Sequence, residues 1–261
     1  MSTTVTAAVP ARFLGDAMAS RLREAAIVVA GAGIAGVLVG GLGSRLVMRL
    51  AALAAPEVRG AVTENGNVVG EITLEGTVAL MIIAGLSSTV FGSGAFVVAR
   101  PWLPRRTFPR GLVLGAFLLA LTGTAVVDAA NADFVILDDR LLNVTMFSSL
   151  FLAFGLVASS AITVLDRRVP PAASLSPRMW ALTAVLAIPI VPGMLGVAFA
   201  FGWQHGVPLI GAWIATLSVP VIDRTGRHGL AELLRAGAIA AMLVIVGLAG
   251  AEYVQNVTTI L

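Results

Sequence analysis

Long apolar runs separated by short polar segments make up most of the chain. A helix needs about 20 apolar residues to cross about 30 Å of hydrocarbon, and seven runs reach or approach that length. They cover residues 25–44, 78–99, 111–129, 144–165, 180–201, 207–222 and 233–254. The sixth run is short, and Pro189 and Pro192 interrupt the fifth. The pattern predicts an all-α polytopic membrane protein with about seven transmembrane helices, or six if one of these two runs does not cross.

The arginines predict which way round the protein sits. If the runs cross in turn, thirteen of the 17 basic residues lie on one side of the membrane. An excess of arginine marks the cytoplasmic side, so the N-terminus is predicted to be cytoplasmic. Seven crossings would then place the C-terminus outside. The predicted outer side holds only Arg45, Arg49, Arg59 and Arg140, together with nine of the 14 acidic residues.

Polar segments divide the chain into four predicted parts. In order, these are a cytoplasmic N-terminal arm (1–24), a four-helix transmembrane half (25–165), a cytoplasmic linker (166–179) and a three-helix transmembrane half (180–261). The linker is rich in proline, alanine and serine, which favours an extended connection. The four-helix half also carries an outer polar cap, formed by residues 56–77 and 130–143.

The first part of this cap has the pattern of a β-hairpin. Asn65 and Gly66 suit a type I′ turn, which requires a positive φ at two successive residues. Residues 71–75 read Glu-Ile-Thr-Leu-Glu, and this alternation is typical of a strand with one polar and one apolar face. The sequence therefore predicts a small outer β-hairpin, and a solvated outer loop is the alternative.

Two arginines, Arg45 and Arg49, lie one helical turn apart at the end of the first run. At 1.5 Å per residue, Arg45 lies about 30 Å from Ala25, which places it at the outer interface. If residues 44–55 form an interfacial helix, the pair faces lipid headgroups. The alternative is that the pair turns inward to bind an anion or carboxylates. The candidate outer polar cluster comprises Arg45, Arg49, Glu64, Glu71, Glu75, Asp128, Asn131 and Asp133.

Small residues recur every four positions along the first two runs. Such a stripe lets another helix backbone approach closely. The predicted helix-packing residues are Ala32, Gly36, Gly40, Ser44, Ser88 and Gly92. The stripe is interpreted as packing between helices of this chain, and the alternative is contact with a membrane protein partner or with a second copy.

Composition excludes several classes of protein. The chain is 58% hydrophobic and has no cysteine, so disulfides, thiolate metal sites and thiol catalysis are excluded. All 17 basic residues are arginine, and a retinal Schiff base needs lysine. The two histidines lie outside the predicted runs, which argues against bis-histidine haem. Because the arginines are spread over loops, the net charge of +3 does not indicate nucleic-acid binding.

Functional motifs are few. The break at Pro189 and Pro192 is a candidate binding site, because transporters bind ions at unwound helix segments. No zinc or nucleotide motif is found, and no cofactor or metal is expected. The leading prediction is a non-enzymatic scaffold or accessory subunit in the lipid bilayer. The alternatives are a small-solute transporter or channel with an outer polar vestibule, and a lipid-modifying enzyme. The arginine-only usage suggests the plasma membrane of a GC-rich bacterium.

Overall fold

All regular structure described by the computed structural model is helical. The structure describes residues 8–54, 60, 73–128, 139–199, 203–224 and 226–261. Its α-helices are α1 (Ala8–Ala35), α2 (Ser44–Ala54), α3 (Leu74–Ala99), α4 (Thr107–Thr122), α5 (Arg140–Arg168), α6 (Pro177–Ala187), α7 (Ile190–Phe199), α8 (Trp203–Arg224) and α9 (His228–Ile260). A π-helical segment, Gly36–Gly43, joins α1 to α2, and short 3₁₀ turns form at Arg100–Trp102, Gly123–Ala125 and Ala172–Ser174.

Six helical stretches are long and apolar enough to cross a membrane. They are Met18–Ala54, Leu74–Trp102, Thr107–Ala125, Arg140–Arg168, Pro177–Val197 and His228–Ile260. A shorter apolar stretch, Gly206–Val219, lies within α8. Large apolar side chains such as Ile83 and Leu243 are more than 60% exposed, as expected where lipid is the solvent. The prediction of an all-α polytopic membrane protein is confirmed, with six candidate crossing helices.

Polar side chains cap three of these helices. Thr73 Oγ1 accepts a hydrogen bond from the backbone N–H of Gly76 at 3.1 Å, at the start of α3. Asp139 Oδ1 accepts from the N–H of Leu142 at 3.0 Å, at the start of α5. Ser176 caps α6 in the same way. Each cap pairs a backbone donor that has no partner within its helix, so short polar residues set where these helices begin.

The predicted β-hairpin is wrong where the structure describes it. Leu74 and Glu75, which the hairpin placed in its second strand, form the first turn of α3. Thr73 favours the helix because its side chain caps it, and Glu75 is favourable near the positive end of the helix dipole. The five-residue alternation at 71–75 was too short to distinguish a strand from a helix start. The rest of the hairpin, including Asn65 and Gly66, lies outside the described residues.

The centre of the bundle is formed by α1 with the π-helical segment, α3, α4 and α5. Because Gly31 lies against Ile162 and Gly43 against Leu150, the first helical stretch and α5 are antiparallel. The bundle therefore has two ends. The "Arg-rich end" carries the start of α4 and the end of α5. The "α2 end" carries α2, the end of α4 and the start of α5.

Glycines bring α4 and α5 into backbone contact. Gly111 lies against the backbone of Gly155 and Leu156, and Gly115 lies against Phe151 and Leu152. Gly155 in turn faces the backbone of Gly111 and Gly115. A side chain at any of these positions would separate the helices, so glycine is required by proximity rather than by backbone conformation.

The π-helical segment packs against α3 through its glycines. A Cβ atom at Gly36 would lie 2.6 Å from Thr89 Oγ1, and one at Gly40 would lie 3.0 Å from the carbonyl oxygen of Ala84. In this segment the backbone N–H of Ser44 bonds to the carbonyl of Val39, five residues earlier. π-Helical turns are rare and are frequently found at functional sites, so this stretch is a candidate for function as well as packing.

The α4–α5 contact can be tested by substituting two glycines with alanine, because we expect the two substitutions to change the stability of the protein in different directions. We expect Gly155→Ala to destabilise the protein by about 1–3 kcal/mol, because the added methyl overpacks against Gly115, whose Cα would lie 2.8 Å away. Gly237→Ala on α9 is the matched control. No described atom lies within 4 Å of its added Cβ, so helix propensity should make it neutral or stabilising by up to about 1 kcal/mol. Unfolding in detergent measures both, and equal effects would contradict the packing role.

Candidate functional site

Half of the predicted outer polar cluster lies in the described part of the chain. Arg45 is partly buried, and its Nε is enclosed without a hydrogen-bond partner among the described residues. Arg49, one turn further along α2, is exposed. Glu75 is exposed in the first turn of α3, and Asp128 is partly buried after α4. The remaining members lie outside the described residues: Glu64, Glu71, Asn131 and Asp133.

The structure places Arg45 and Arg49 in different surroundings. Leu46, Leu50 and Leu53 are exposed on α2 together with Arg49. Apolar side chains beside an exposed arginine are typical of a helix in the membrane interface. Arg45 instead turns part of its side chain into the protein. The two arginines therefore differ in burial, although they lie one helical turn apart.

The small-residue stripe contacts α3 and α5 of the same chain. Ala32 is fully buried, Gly36 lies against Thr89, and Gly40 lies against Ser88. On α3, Gly92 meets the ring of Phe154 from α5. Other helices of the same chain therefore pack against the face of the first helix that carries the stripe.

The proline break separates α6 from α7. The helix stops after Ala187 and restarts at Ile190, so Pro189 lies in the break and Pro192 in the first turn of α7. The restarted helix packs closely on α3, where Gly193 meets the backbone of Val90 and Gly94. The break redirects the chain so that a glycine of α7 reaches α3.

A cavity of about 620 Å³ lies among the π-helical segment, α3, α4 and α5. Its walls include the rings of Phe91, Phe147, Phe151 and Phe154. Opposite them, small residues such as Gly40 leave the space between the helices unfilled. The volume falls within the roughly 300–1,000 Å³ of small-molecule pockets. Because Phe147 lies about two turns into α5 and Phe154 about two turns further, the cavity extends from the α2 end to the middle of the bundle.

Hydroxyl groups provide the polar part of the cavity wall. They belong to Ser44, Ser87, Ser88, Thr122 and Thr124. Thr122 donates to the carbonyl of Leu118 in its own helix at 2.9 Å. None of the described residues that line the cavity is acidic, basic or a histidine. The described wall of the cavity thus offers neutral hydrogen-bonding groups on an apolar surface, and none of its described side chains is suited to acid–base catalysis.

The bundle is filled between the cavity and the Arg-rich end. Ala95, Leu114 and Ala158 are at most 1% exposed and belong to one apolar core with Val28 and Phe117. This packing closes the cavity at about the middle of the bundle. The cavity therefore does not continue through the described apolar core toward the Arg-rich end.

A hydrogen-bond network centred on Arg110 joins α4 to α5 near the Arg-rich end. Arg110 Nε donates to Ser159 Oγ at 2.8 Å, and Nη2 donates to the carbonyl of Ser159 at 3.0 Å and to Thr163 Oγ1 at 2.5 Å. Ser159 Oγ donates in turn to the carbonyl of Thr107 at 3.0 Å. The guanidinium also lies 5.7 Å from the centre of the Phe96 ring. This arginine is paired within the protein, so its role is structural.

Arg23 joins α1 to the end of α5. It pairs with the carboxylate of Asp166 at 2.8 Å and donates to the carbonyl groups of Asp166, Val169 and Pro170. These carbonyls end α5 and lack partners within the helix. Nearby, Glu24 pairs with Arg21 and Arg100. The Arg-rich end is thus stabilised by ion pairs and by a side-chain cap from a distant helix.

Sequence reasoning missed both the cavity and these networks. The sequence pattern uses Arg23 and Arg110 only as two of the arginines that orient the chain, and it assigns no role to Asp166, because the partners of these residues are far away in sequence. Two signals were available in the sequence. Arg110 lies at the start of one apolar run, and Ser159 lies within another. Polar residues inside apolar runs favour a buried partner, but they do not identify it.

Comparisons with known proteins found no relative. No family model matches the chain, and no match was found among curated proteins or among solved structures. Among the described residues, no group of three side chains is placed to hold a metal ion. The function must therefore be inferred from the geometry of the chain itself.

The Arg110 network gives a stability test. We expect Arg110→Leu to destabilise the protein by about 2 kcal/mol or more, because hydrogen bonds to a charged group are lost and the hydroxyl of fully buried Ser159 loses a partner. Arg106→Leu is the control, since Arg106 is exposed and its side chain does not cap α4. Denaturant unfolding in detergent compares the two. An equal loss in both variants would show that the network adds no specific stability.

Proposed function

We propose that this protein crosses the bacterial plasma membrane seven times, with the Arg-rich end in the cytoplasm. The excess of arginine at that end supports the orientation. Asn256 donates to the carbonyl of Val127, and Arg140 donates to the carbonyl of Ile260, which brings the end of α9 to the α2 end. Trp213 of α8 donates to the carbonyl of Val97 near the other end of α3. These contacts favour α8 as the seventh helix that crosses the membrane, with a short apolar stretch.

The proposed function is to hold a lipid or another largely apolar molecule in the outer half of the membrane, without chemical conversion. The cavity among the π-helical segment, α3, α4 and α5 is the observation that carries this proposal. Apolar and aromatic walls with a few hydroxyls suit an amphiphile whose polar group is small. The absence of acids, bases and histidines among the described lining residues argues against a lipid-modifying enzyme.

A carrier that moves its ligand across the membrane is the second candidate. One observation favours it: Gly196 of α7 lines the cavity, and the break at Pro189 precedes α7. Broken helices form the binding sites of many transporters. The filled core between the cavity and the Arg-rich end favours holding over transport.

Scaffolding through the first helix is less well supported. Gly36 and Gly40 contact α3 and are not available to another protein. A membrane protein partner or a second copy would have to use other faces of the bundle, and the surrounding lipid bilayer remains the expected partner. An accessory subunit that presents a bound lipid is compatible with the proposed function.

Filling the cavity tests the proposed function. We expect Thr122→Trp to reduce binding of a fluorescent apolar probe at least tenfold, because the indole occupies space that the ligand needs. Thr145→Trp is the matched control. Thr145 likewise bonds to the carbonyl four residues earlier, at 2.7 Å, but it is exposed on α5 outside the cavity. Probe titration measures both variants, and equal binding would contradict a ligand site in this cavity.

The absence of cysteine makes the number of crossings testable by labelling. Single cysteines are introduced as Ser174→Cys, near the Arg-rich end, and Leu261→Cys, at the end of α9. On intact cells, we expect a membrane-impermeant maleimide to label position 261 and to leave position 174 unlabelled until lysis. Protection of both positions before lysis would indicate six crossings and a cytoplasmic C-terminus.

A further inference from the structure

Arg45 directly follows the cavity-lining Ser44 and carries a hydrogen-bond donor without a partner among the described residues. Its neighbour Ser44 lines the cavity wall. The Nε atom of Arg45 is shielded from solvent and has no partner among the described residues. An enclosed guanidinium nitrogen without an acceptor is unfavourable, so the site lacks an acceptor at this position.

Asn143 presents an unused acceptor on the helix that forms the opposite wall. It is 2% exposed, and its Oδ1 atom has no partner among the described residues. On α5, Asn143 lies one turn before Phe147 and two turns before Leu150, both of which line the cavity. The Asn143 side chain is therefore on the cavity-lining face, one turn closer to the α2 end.

The wall below these two residues is apolar except for hydroxyls. Leu118, Leu121 and Leu150 line the cavity together with the phenylalanine rings. A free anion would gain nothing from this surface, whereas an apolar chain would bury itself there. An occupant that satisfies the whole site needs an apolar chain, an acceptor for Arg45 and a donor for Asn143.

We propose that the occupant is a single-chain glycerophospholipid with an anionic phosphate, whose chain enters the cavity and whose phosphate binds Arg45. A free hydroxyl on the glycerol would supply the donor for Asn143. Charge-assisted hydrogen bonds from arginine to phosphate are among the strongest in proteins. This inference rests on the proposed function, because it names the ligand class of the same cavity.

Arg49 makes the inference testable with a closely matched control. It lies one turn beyond Arg45 on α2 and is exposed. Both arginines therefore contribute similarly to the charge of the α2 end, but only Arg45 has an enclosed donor. A general attraction of anionic lipid to this end would depend on both arginines, whereas a specific phosphate contact depends on Arg45.

The experiment compares two ligands that differ only in the phosphate. Lysophosphatidic acid and the monoacylglycerol of equal chain length are titrated against the purified, delipidated full-length protein in neutral detergent, with displacement of the apolar probe as the readout. We expect lysophosphatidic acid to bind about tenfold more tightly. Arg45→Gln should remove this preference and leave monoacylglycerol binding unchanged, whereas Arg49→Gln should change the preference less than twofold.

The outcomes separate this inference from the proposed function. If neither ligand displaces the probe, the proposed function fails. If both bind equally, or if the two glutamine variants behave alike, the phosphate contact is overturned while the cavity site stands. If inorganic phosphate displaced the probe as effectively as lysophosphatidic acid, the inference that the occupant is a lipid would be overturned. Arg45→Lys, which keeps the charge, should retain part of the preference, so a folding defect in Arg45→Gln would not leave the proposal untested.

Discussion

Close contact between helix backbones is the constraint on which the rest of this structure depends. In lipid, burial of apolar surface does little to hold helices together, so packing and interhelical hydrogen bonds take over. Gly36 and Gly40 bring the first helical stretch onto α3, and Gly111, Gly115 and Gly155 join α4 to α5. Where these contacts end, toward the α2 end, the helices enclose a cavity. The same small residues thus fix the bundle and leave its central space.

The two ends of the bundle use their arginines differently. At the Arg-rich end, Arg23 and Arg110 are paired by carbonyls, hydroxyls and a carboxylate from α5, and these contacts lock α5 to α1 and α4. At the α2 end, Arg45 has an enclosed donor without a described partner. Among the described residues, the buried side-chain groups without a partner are Arg45 Nε and Asn143 Oδ1, and both lie at the α2 end.

Hydropathy predicted where the helices are, because length and apolar character alone decide whether a helix suits a bilayer. Proline likewise predicted the break between α6 and α7. The predicted strand was wrong at Leu74 and Glu75, because the capping threonine Thr73 outweighs the short alternation at 71–75. The cavity was not predictable, since it depends on which small residues remain uncovered after packing. The partners of Arg23 and Arg110 lie 143 and 49 positions away, and no local pattern identifies them.

The π-helical segment Gly36–Gly43 has a consequence for how this protein can change over evolutionary time. Each residue of a regular α-helix advances by about 100° around its axis, and hydrogen bonds to the fifth residue instead of the fourth shift that phase. The direction in which α2 points its side chains is therefore shifted relative to an uninterrupted α-helix. Deletion of a single glycine here would turn Arg45 away from the protein and a different side chain toward it, while α1 kept its contacts. A change in the length of this segment would therefore change which α2 side chains face the bundle.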